Sequence, residues 1–249
     1  MHQAERLKSQ KRALRTLEHQ VFKLLSSFHV FKINTLINEV NLKLFGFPHS
    51  PHSRRTVAVV KHLGLKNVEI KMLNLPGGEH TQALKDLNPN LVVPVLQDGS
   101  FTLWESNAIM QYLCAKSGFS TLWPNDIAKQ ADISRWLFWQ ATSFGPPCGT
   151  LVMENFAKDA LFKMGPPNAM EVEKAMTNFH KRAKVLDAHL TSNKFVCGND
   201  LTIADFALAS WLTYAEPGKI PMASYTKISG WMGRVADSKG WMESDPSKF

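Results

Sequence analysis

Apolar and polar positions alternate in two different rhythms along this chain. Within residues 4–25, Leu7, Leu14, Leu17, Val21, Leu24 and Leu25 recur at spacings of three, four and seven, which predicts an amphipathic helix. From residue 41 onward, short β-like runs alternate with helical text. A strand is expected over 41–46, a helix over 53–63 stopped by Gly64, and a second strand over 68–72. Pro76-Gly77-Gly78 signals a turn, and a short helix over 81–86 should end before Asn88-Pro89-Asn90. Residues 93–97 and 100–103 read as a hairpin around Asp98-Gly99, and residues 105–117 as a helix ending at Gly118.

This β-α-β then α-β-β-α order over residues 41–118 is a thioredoxin-like α/β pattern. A linker over 119–126 leads into residues 127–249, which read as helices separated by Pro/Gly loops, an all-α second domain. Gly145-Pro146-Pro147 and Gly165-Pro166-Pro167 are the expected breaks. Residues 1–40 stand outside this plan as a basic, partly amphipathic extension.

Composition narrows the picture further. At 249 residues and 44% hydrophobic, the chain has ample apolar content for a buried core. No run of 18 apolar residues occurs, so no membrane-spanning helix is expected. Cys114, Cys148 and Cys197 lie far apart and cannot all pair, which argues against a disulfide scaffold or a zinc site. A reducing, cytoplasmic setting fits better. Of the net charge of +8, half lies in residues 1–41, which hold seven basic and three acidic residues. That arm resembles a transit peptide in its basic amphipathic text, yet Glu5 and Glu18 break the acid-poor rule. The body shows no basic stripe interleaved with aromatics, so no nucleic-acid partner is expected.

Candidate chemistry concentrates after the first strand. Ser50 precedes Pro51, a good first helical residue because it has no amide hydrogen to leave unpaired. A serine here is either a plain helix cap or part of an anion site built from the helix amides and dipole. Ser53, one turn further on, competes for the same role. His49 and His52 flank these serines as hydrogen-bonding or pocket residues, Phe47 precedes them, and Arg55 suits a bracing role; no metal-type histidine spacing occurs, so no metal is expected. Glu105-Ser106 opens another helix, whose first-turn amides and hydroxyl suit a carboxylate. Leu201-Thr202-Ile203-Ala204-Asp205-Phe206 is a capping box with a hydrophobic staple, expected to be structural, with loss of Asp205 costing about 1 kcal/mol or somewhat more. Trp136, Phe138, Trp139, Phe144 and Met153 gather at the start of the helical half, where one face would line an apolar pocket.

Taken in order, four stretches resemble the cytosolic glutathione transferases over residues 41 to about 241: Phe45-Gly46-Phe47-Pro48-His49-Ser50, Val93-Pro94-Val95, Trp104-Glu105-Ser106-Asn107, and the capping box ending in Asp205. Gly78-Glu79-His80 with Asn88-Pro89 is similar to the phi and theta classes of plants and bacteria, although Asn90-Leu91 departs from the common Asn-Pro-aromatic-Gly form. The resemblance implies a glutathione transferase architecture with glutathione as co-substrate and a homodimer as the assembly. It implies conjugation of the glutathione thiolate to hydrophobic electrophiles, with Ser50 as the stabilising hydroxyl. It further implies a cis Val93-Pro94 bond whose valine pairs with the cysteinyl unit, Glu105 and Ser106 at the γ-glutamyl end, and His80 toward the glycyl carboxylate. Trp139 and Phe144 are candidates for the electrophile pocket. Neither Ser50 nor Ser53 is a thiol, which argues against a cysteine-based mechanism. The alternatives are a non-catalytic binding or scaffolding protein on the same fold, or a glutathione-dependent peroxidase.

Overall fold

The computed structural model describes residues 42–73, 82 and 84–249. The extension over 1–40, the Pro76-Gly77-Gly78 turn, His80 and the start of the helix expected at Thr81 lie outside the described residues. Strand β1 (Leu42–Gly46) alternates buried and half-buried positions, feeds helix α1 (Pro51–Leu63), and pairs in parallel with β2 (Val68–Met72). Strands β3 (Val95–Asp98) and β4 (Phe101–Trp104) form a hairpin, and β3 pairs antiparallel with β1. The sheet order is therefore β2-β1-β3-β4, the four-stranded arrangement of a thioredoxin-like domain.

The hairpin turn falls one residue later than the sequence suggests. Asp98 pairs with Phe101, leaving Gly99 and Ser100 as the turn, because Gly99 adopts φ +58 and Asp98 is engaged elsewhere. The Asp98 carboxylate accepts from Tyr112 Oη at 2.5 Å and Lys116 Nζ at 2.6 Å, both on helix α2 (Ser106–Lys116).

In the second half, α3 (Ile127–Trp139) is capped by Asp126, whose carboxylate accepts from the Lys129 amide. It runs through a π-helical segment (Gln140–Phe144) directly into α4 (Gly145–Val152), and through a second one (Met153–Ala157) beyond it. Gly145-Pro146-Pro147 therefore does not break the chain path as expected. The prolines occupy the first turn of α4, where an amide hydrogen is not required, and the widened π turn absorbs the mismatch. Gly165-Pro166-Pro167 does separate elements: helix α5 (Ala169–His189) starts afresh, capped by Asn168.

Helix α6 (Ile203–Leu212) is the centre of the core, buried at every position but Trp211. Helices α7 (Thr226–Ala236) and α8 (Lys239–Glu243) close the fold, and α8 lies so near α1 that a Cβ on Gly240 would meet the Ala58 carbonyl oxygen at 2.3 Å. Leu44, Val57, Val59, Leu96, Ile109 and Leu113 are buried in the contiguous core that also includes α6.

Asp205 is fully buried at the start of α6. Its Oδ1 accepts from the Val196 amide and Trp231 Nε1, both at 2.8 Å, and its Oδ2 accepts from the Thr202 amide at 2.8 Å and hydroxyl at 3.0 Å. Burial pushes this carboxyl's pKa up, against the pull of those donors. Four donors on one carboxylate exceed what an exposed capping box offers. Asp205→Ala should therefore cost about 3 kcal/mol, more than the cap alone suggests, since it strands four buried donors. Chemical denaturation checks the stability, and turnover per folded molecule should be nearly unchanged.

Candidate active site

Two helices point their N-termini into one cleft of about 540 Å³. At the start of α1, Ser50 is the N-cap in an extended conformation, and its Oγ accepts from the Ser53 amide at 3.2 Å. That bond uses an oxygen lone pair and leaves the hydroxyl proton free. Ser53 itself is 1% exposed, and its Oγ accepts from the Phe47 amide at 3.0 Å. Ser50 lines the cleft with Phe47 and His52, while Ser53 supports the turn behind it. His49 is exposed and packs edge-on against Phe47.

The opposite wall comes from the segment before β3 and from the start of α2. The Val93-Pro94 peptide is cis, and both residues line the cleft. Asn88, 1% exposed, ties the preceding loop together: its Nδ2 donates to the Val92 carbonyl at 2.7 Å and its Oδ1 accepts from the Asn90 amide at 3.0 Å. Glu105 sits at φ +72 with no capping bond from its side chain, an uncommon backbone for a residue other than glycine. Strain of this kind concentrates at functional sites, and here it leaves the Glu105 carboxylate exposed on the cleft wall. Ser106 is buried beside it, with Oγ 3.2 Å from His52 Nδ1.

The site thus brings together Ser50, Phe47, Val93, Pro94, Glu105 and Ser106 of the expected residues. It does not bring Trp139 and Phe144 to the cleft. Phe144 is fully buried and stacks on Trp139 at 5.5 Å in the core of the helical half. Met153 and Phe162 line the cleft in their place. Phe162 lies in irregular text just before Gly165-Pro166-Pro167, where helical periodicity offers no signal, and Asn88 was visible only as part of an Asn-Pro turn.

Beneath the floor lies Arg55, 1% exposed. Its Nε donates to Ser210 Oγ at 3.0 Å, and its Nη1 donates to Gln140 Oε1 at 2.8 Å and Asn107 Oδ1 at 3.2 Å. Burial lowers its pKa to about 9, opposed by the Glu105 carboxylate, so it remains a cation at neutral pH. Among the described residues, no cluster of His, Cys, Asp and Glu is placed to hold a metal ion. The three cysteines are free, and burial pushes the Cys114 and Cys197 thiols up to about 12.

A family model described as the glutathione S-transferase N-terminal domain matches residues 44–121, and one for the C-terminal domain matches residues 152–239. Glutathione S-transferase 3 of Zea mays is 34% identical over 201 residues, covering 78% of this chain and 89% of the relative. This chain belongs to the glutathione S-transferase family. The fruit-fly (Drosophila melanogaster) glutathione S-transferase D7 is 29% identical over 82% of this chain and 88% of its own length. The crystal structure of poplar glutathione transferase F1 superposes with a TM-score of 0.73 at 25% identity, covering 83% of this chain and 97% of that one.

Within this transferase the N-termini of α1 and α2 favour an anion in the cleft through their amides and dipoles. The histidine that lines it among the described residues is held neutral: burial, then the Arg55 charge, lowers the His52 pKa from 6.5 to about 3. Because the unfolded chain binds the proton that the folded ring refuses, stability is fully present above pH 6.5 and lost as pH falls toward 3. Denaturation midpoints at pH 7 and pH ~4.5 should therefore differ less for His52→Asn, which cannot titrate, than for the unmodified chain.

Proposed function

We propose that this transferase conjugates the thiolate of glutathione to hydrophobic electrophiles, with Ser50 as the hydroxyl that holds the sulfur as an anion. The observation that supports this most is the meeting of Ser50, the Val93-Pro94 segment and Glu105-Ser106 around one cleft. A free thiol of this kind has a pKa of about 8.5, so little of it is thiolate at neutral pH. A hydroxyl donating to sulfur at a helix N-terminus favours the charged form. Ser50 has its proton available because its oxygen already accepts from Ser53. In this reading Val93 pairs its backbone with the cysteinyl unit, Glu105 receives the ammonium, and Ser106 with the α2 amides receives the γ-glutamyl carboxylate. His80, which lies outside the described residues, is assigned to the glycyl carboxylate. The sulfur then attacks the electrophilic carbon, a carbon–sulfur bond forms, the leaving group departs with its electron pair, and the thiol proton passes to solvent. Phe47, Met153 and Phe162 supply the apolar wall for the electrophile.

Ser50→Ala should keep the fold and most of the glutathione affinity while raising the bound thiol's pKa by about one unit or more and slowing conjugation near pH 6.5 by about tenfold or more. Titration of thiolate absorbance in the complex measures this. An unchanged pKa in Ser50→Ala, with the shift appearing in Ser53→Ala, moves the role to Ser53. A chain with no retention on immobilised glutathione and no conjugation of an aromatic electrophile is instead a binding or scaffolding module.

The same reading includes a two-fold homodimer in the cytoplasm. Phe101 and Trp104 are 48% and 40% exposed on β4, and Phe138 is 71% exposed on α3. Aromatic residues left at the surface in this number suit an isologous interface between the two halves of neighbouring subunits. The motif-bearing text is complete from Asn41 onward. Sedimentation should therefore give a dimer, and glutathione binding should persist, for both the full chain and a chain beginning at Asn41. A monomer or lost binding in the shorter chain would make the basic arm part of the working unit.

A further inference from the structure

We propose that His52 is a positioning residue for the carboxylate subsite at Ser106, a proposal that rests on the glutathione function inferred above. His52 lies in the first turn of α1, two residues past Ser50, and Ser106 is the first residue of α2. The 3.2 Å contact between His52 Nδ1 and Ser106 Oγ is thus a side-chain link between the two helix N-termini that open into the cleft. The ring is also held from behind. It meets Trp211 of α6 edge-on, with centroids 5.1 Å apart and planes at 86°. Trp211 has no room to retreat, since a Cβ on Gly145 would stand 2.9 Å from its Nε1 and one on Gly149 3.0 Å from its Cη2. The imidazole is therefore backed by Trp211, which itself lies against the α4 backbone, with the Ser106 hydroxyl in front of it.

Proton counting assigns what this link does. A serine hydroxyl has one proton, and a neutral imidazole has one N–H. If Ser106 donated to a bare Nδ1, its proton would be spent and a bound carboxylate would face the α2 amides alone. If His52 carries its proton on Nδ1 and donates to Ser106 Oγ, the hydroxyl proton turns to the ligand, and imidazole, hydroxyl and carboxylate form one chain of donors in a single direction. Such chains strengthen each member. Occupation of the subsite then selects the Nδ1–H form of His52. Burial and the neighbouring Arg55 charge keep the ring neutral, as this role requires. The effect falls on binding and not on the sulfur, since Ser50 holds that end independently.

The test compares the full chain with His52→Leu, His52→Asn, Ser106→Ala and the double variant, using glutathione and a chlorodinitrobenzene. His52→Leu should raise KM for glutathione about tenfold with kcat held within about twofold. His52→Asn keeps an N–H donor near the position of Nδ1 and should recover KM to within about threefold of the unmodified chain. On a Ser106→Ala background, His52→Leu should add less than about twofold, because its partner is already gone. In the unmodified chain saturated with glutathione, nitrogen-15 spectra should show His52 protonated at Nδ1 and bare at Nε2. An unchanged KM in His52→Leu, a loss confined to kcat, full additivity with Ser106→Ala, or an Nε2-protonated ring in the complex each overturns the proposal. If His52→Leu fails to fold, the asparagine variant and the spectra decide. An unmodified chain that neither binds nor conjugates glutathione removes the functional reading itself, whereas an active chain indifferent to His52 removes this proposal alone.

Discussion

The geometry of the cleft depends on a buried cation that takes no part in its surface. Arg55 sits on α1, and its guanidinium reaches Asn107 on α2, Gln140 in the π-helical segment and Ser210 on α6. All three acceptors are neutral, so the side chain is held by dipoles and not by a carboxylate in contact. Burying an unpaired cation is expensive, and the cost is limited here by acceptors that are themselves fixed. Ser210 donates its own proton to the Ala207 carbonyl at 3.0 Å, which leaves its lone pairs for Arg55 Nε. Gln140 is turned inward by the π-helical geometry, and Asn107 donates onward to the Leu137 carbonyl at 3.3 Å. This one side chain ties α1 to α2 and both to the helical half. Ser50 and Ser106 head those same two helices.

Much of that arrangement was legible in the sequence, for identifiable reasons. Ser50 with Pro51, Glu105 with Ser106, and Thr202 with Asp205 are helix starts, and helix starts have strong local chemistry. Strand β2 was read with the bounds observed, and β1 within one residue, because turn residues punctuate both ends. What was not legible depends on distance or on local backbone adjustment. The partners of Arg55 lie 52, 85 and 155 residues away, so its bracing role was readable but its contacts were not. Gly145-Pro146-Pro147 looks like a break by composition, and only the π-helical turn before it lets the helical path continue. Trp139 and Phe162 are both aromatic and both in the helical half, and periodicity cannot say which one meets a cleft formed largely by the other half. The hairpin slipped by one residue because Asp98 is claimed by Tyr112 and Lys116, a tertiary demand that no local turn rule contains.

The electrostatic design follows from the same elements. Among the described residues the histidine lining the cleft is neutral and the arginine lies beneath the floor, and the N-termini of α1 and α2 contribute fixed dipoles there. Amides are fixed by the helices, carry no net charge to attract bulk anions, and do not titrate. An anion bound there meets donors that need no reorganisation, which is the condition under which fixed dipoles act most strongly.

A site of this kind separates two tasks by rigidity. The floor, from Ser53 through Arg55 to Ser106, is buried and held by side-chain hydrogen bonds, with Nη2 the one nitrogen of the Arg55 guanidinium left without a partner. The rim is different: Leu91, Val92 and Met153 are each at least 43% exposed, and none of these side chains has a polar anchor. A rigid floor distinguishes between ligands by polar groups that are either met or left unpaired, and such mismatches are costly. An apolar rim distinguishes weakly, since a missing or extra methylene changes binding by about 1–3 kcal/mol. In the proposed reaction, polar selectivity therefore lies with the ligand at the helix termini, and the second, apolar reactant is selected on size and hydrophobicity.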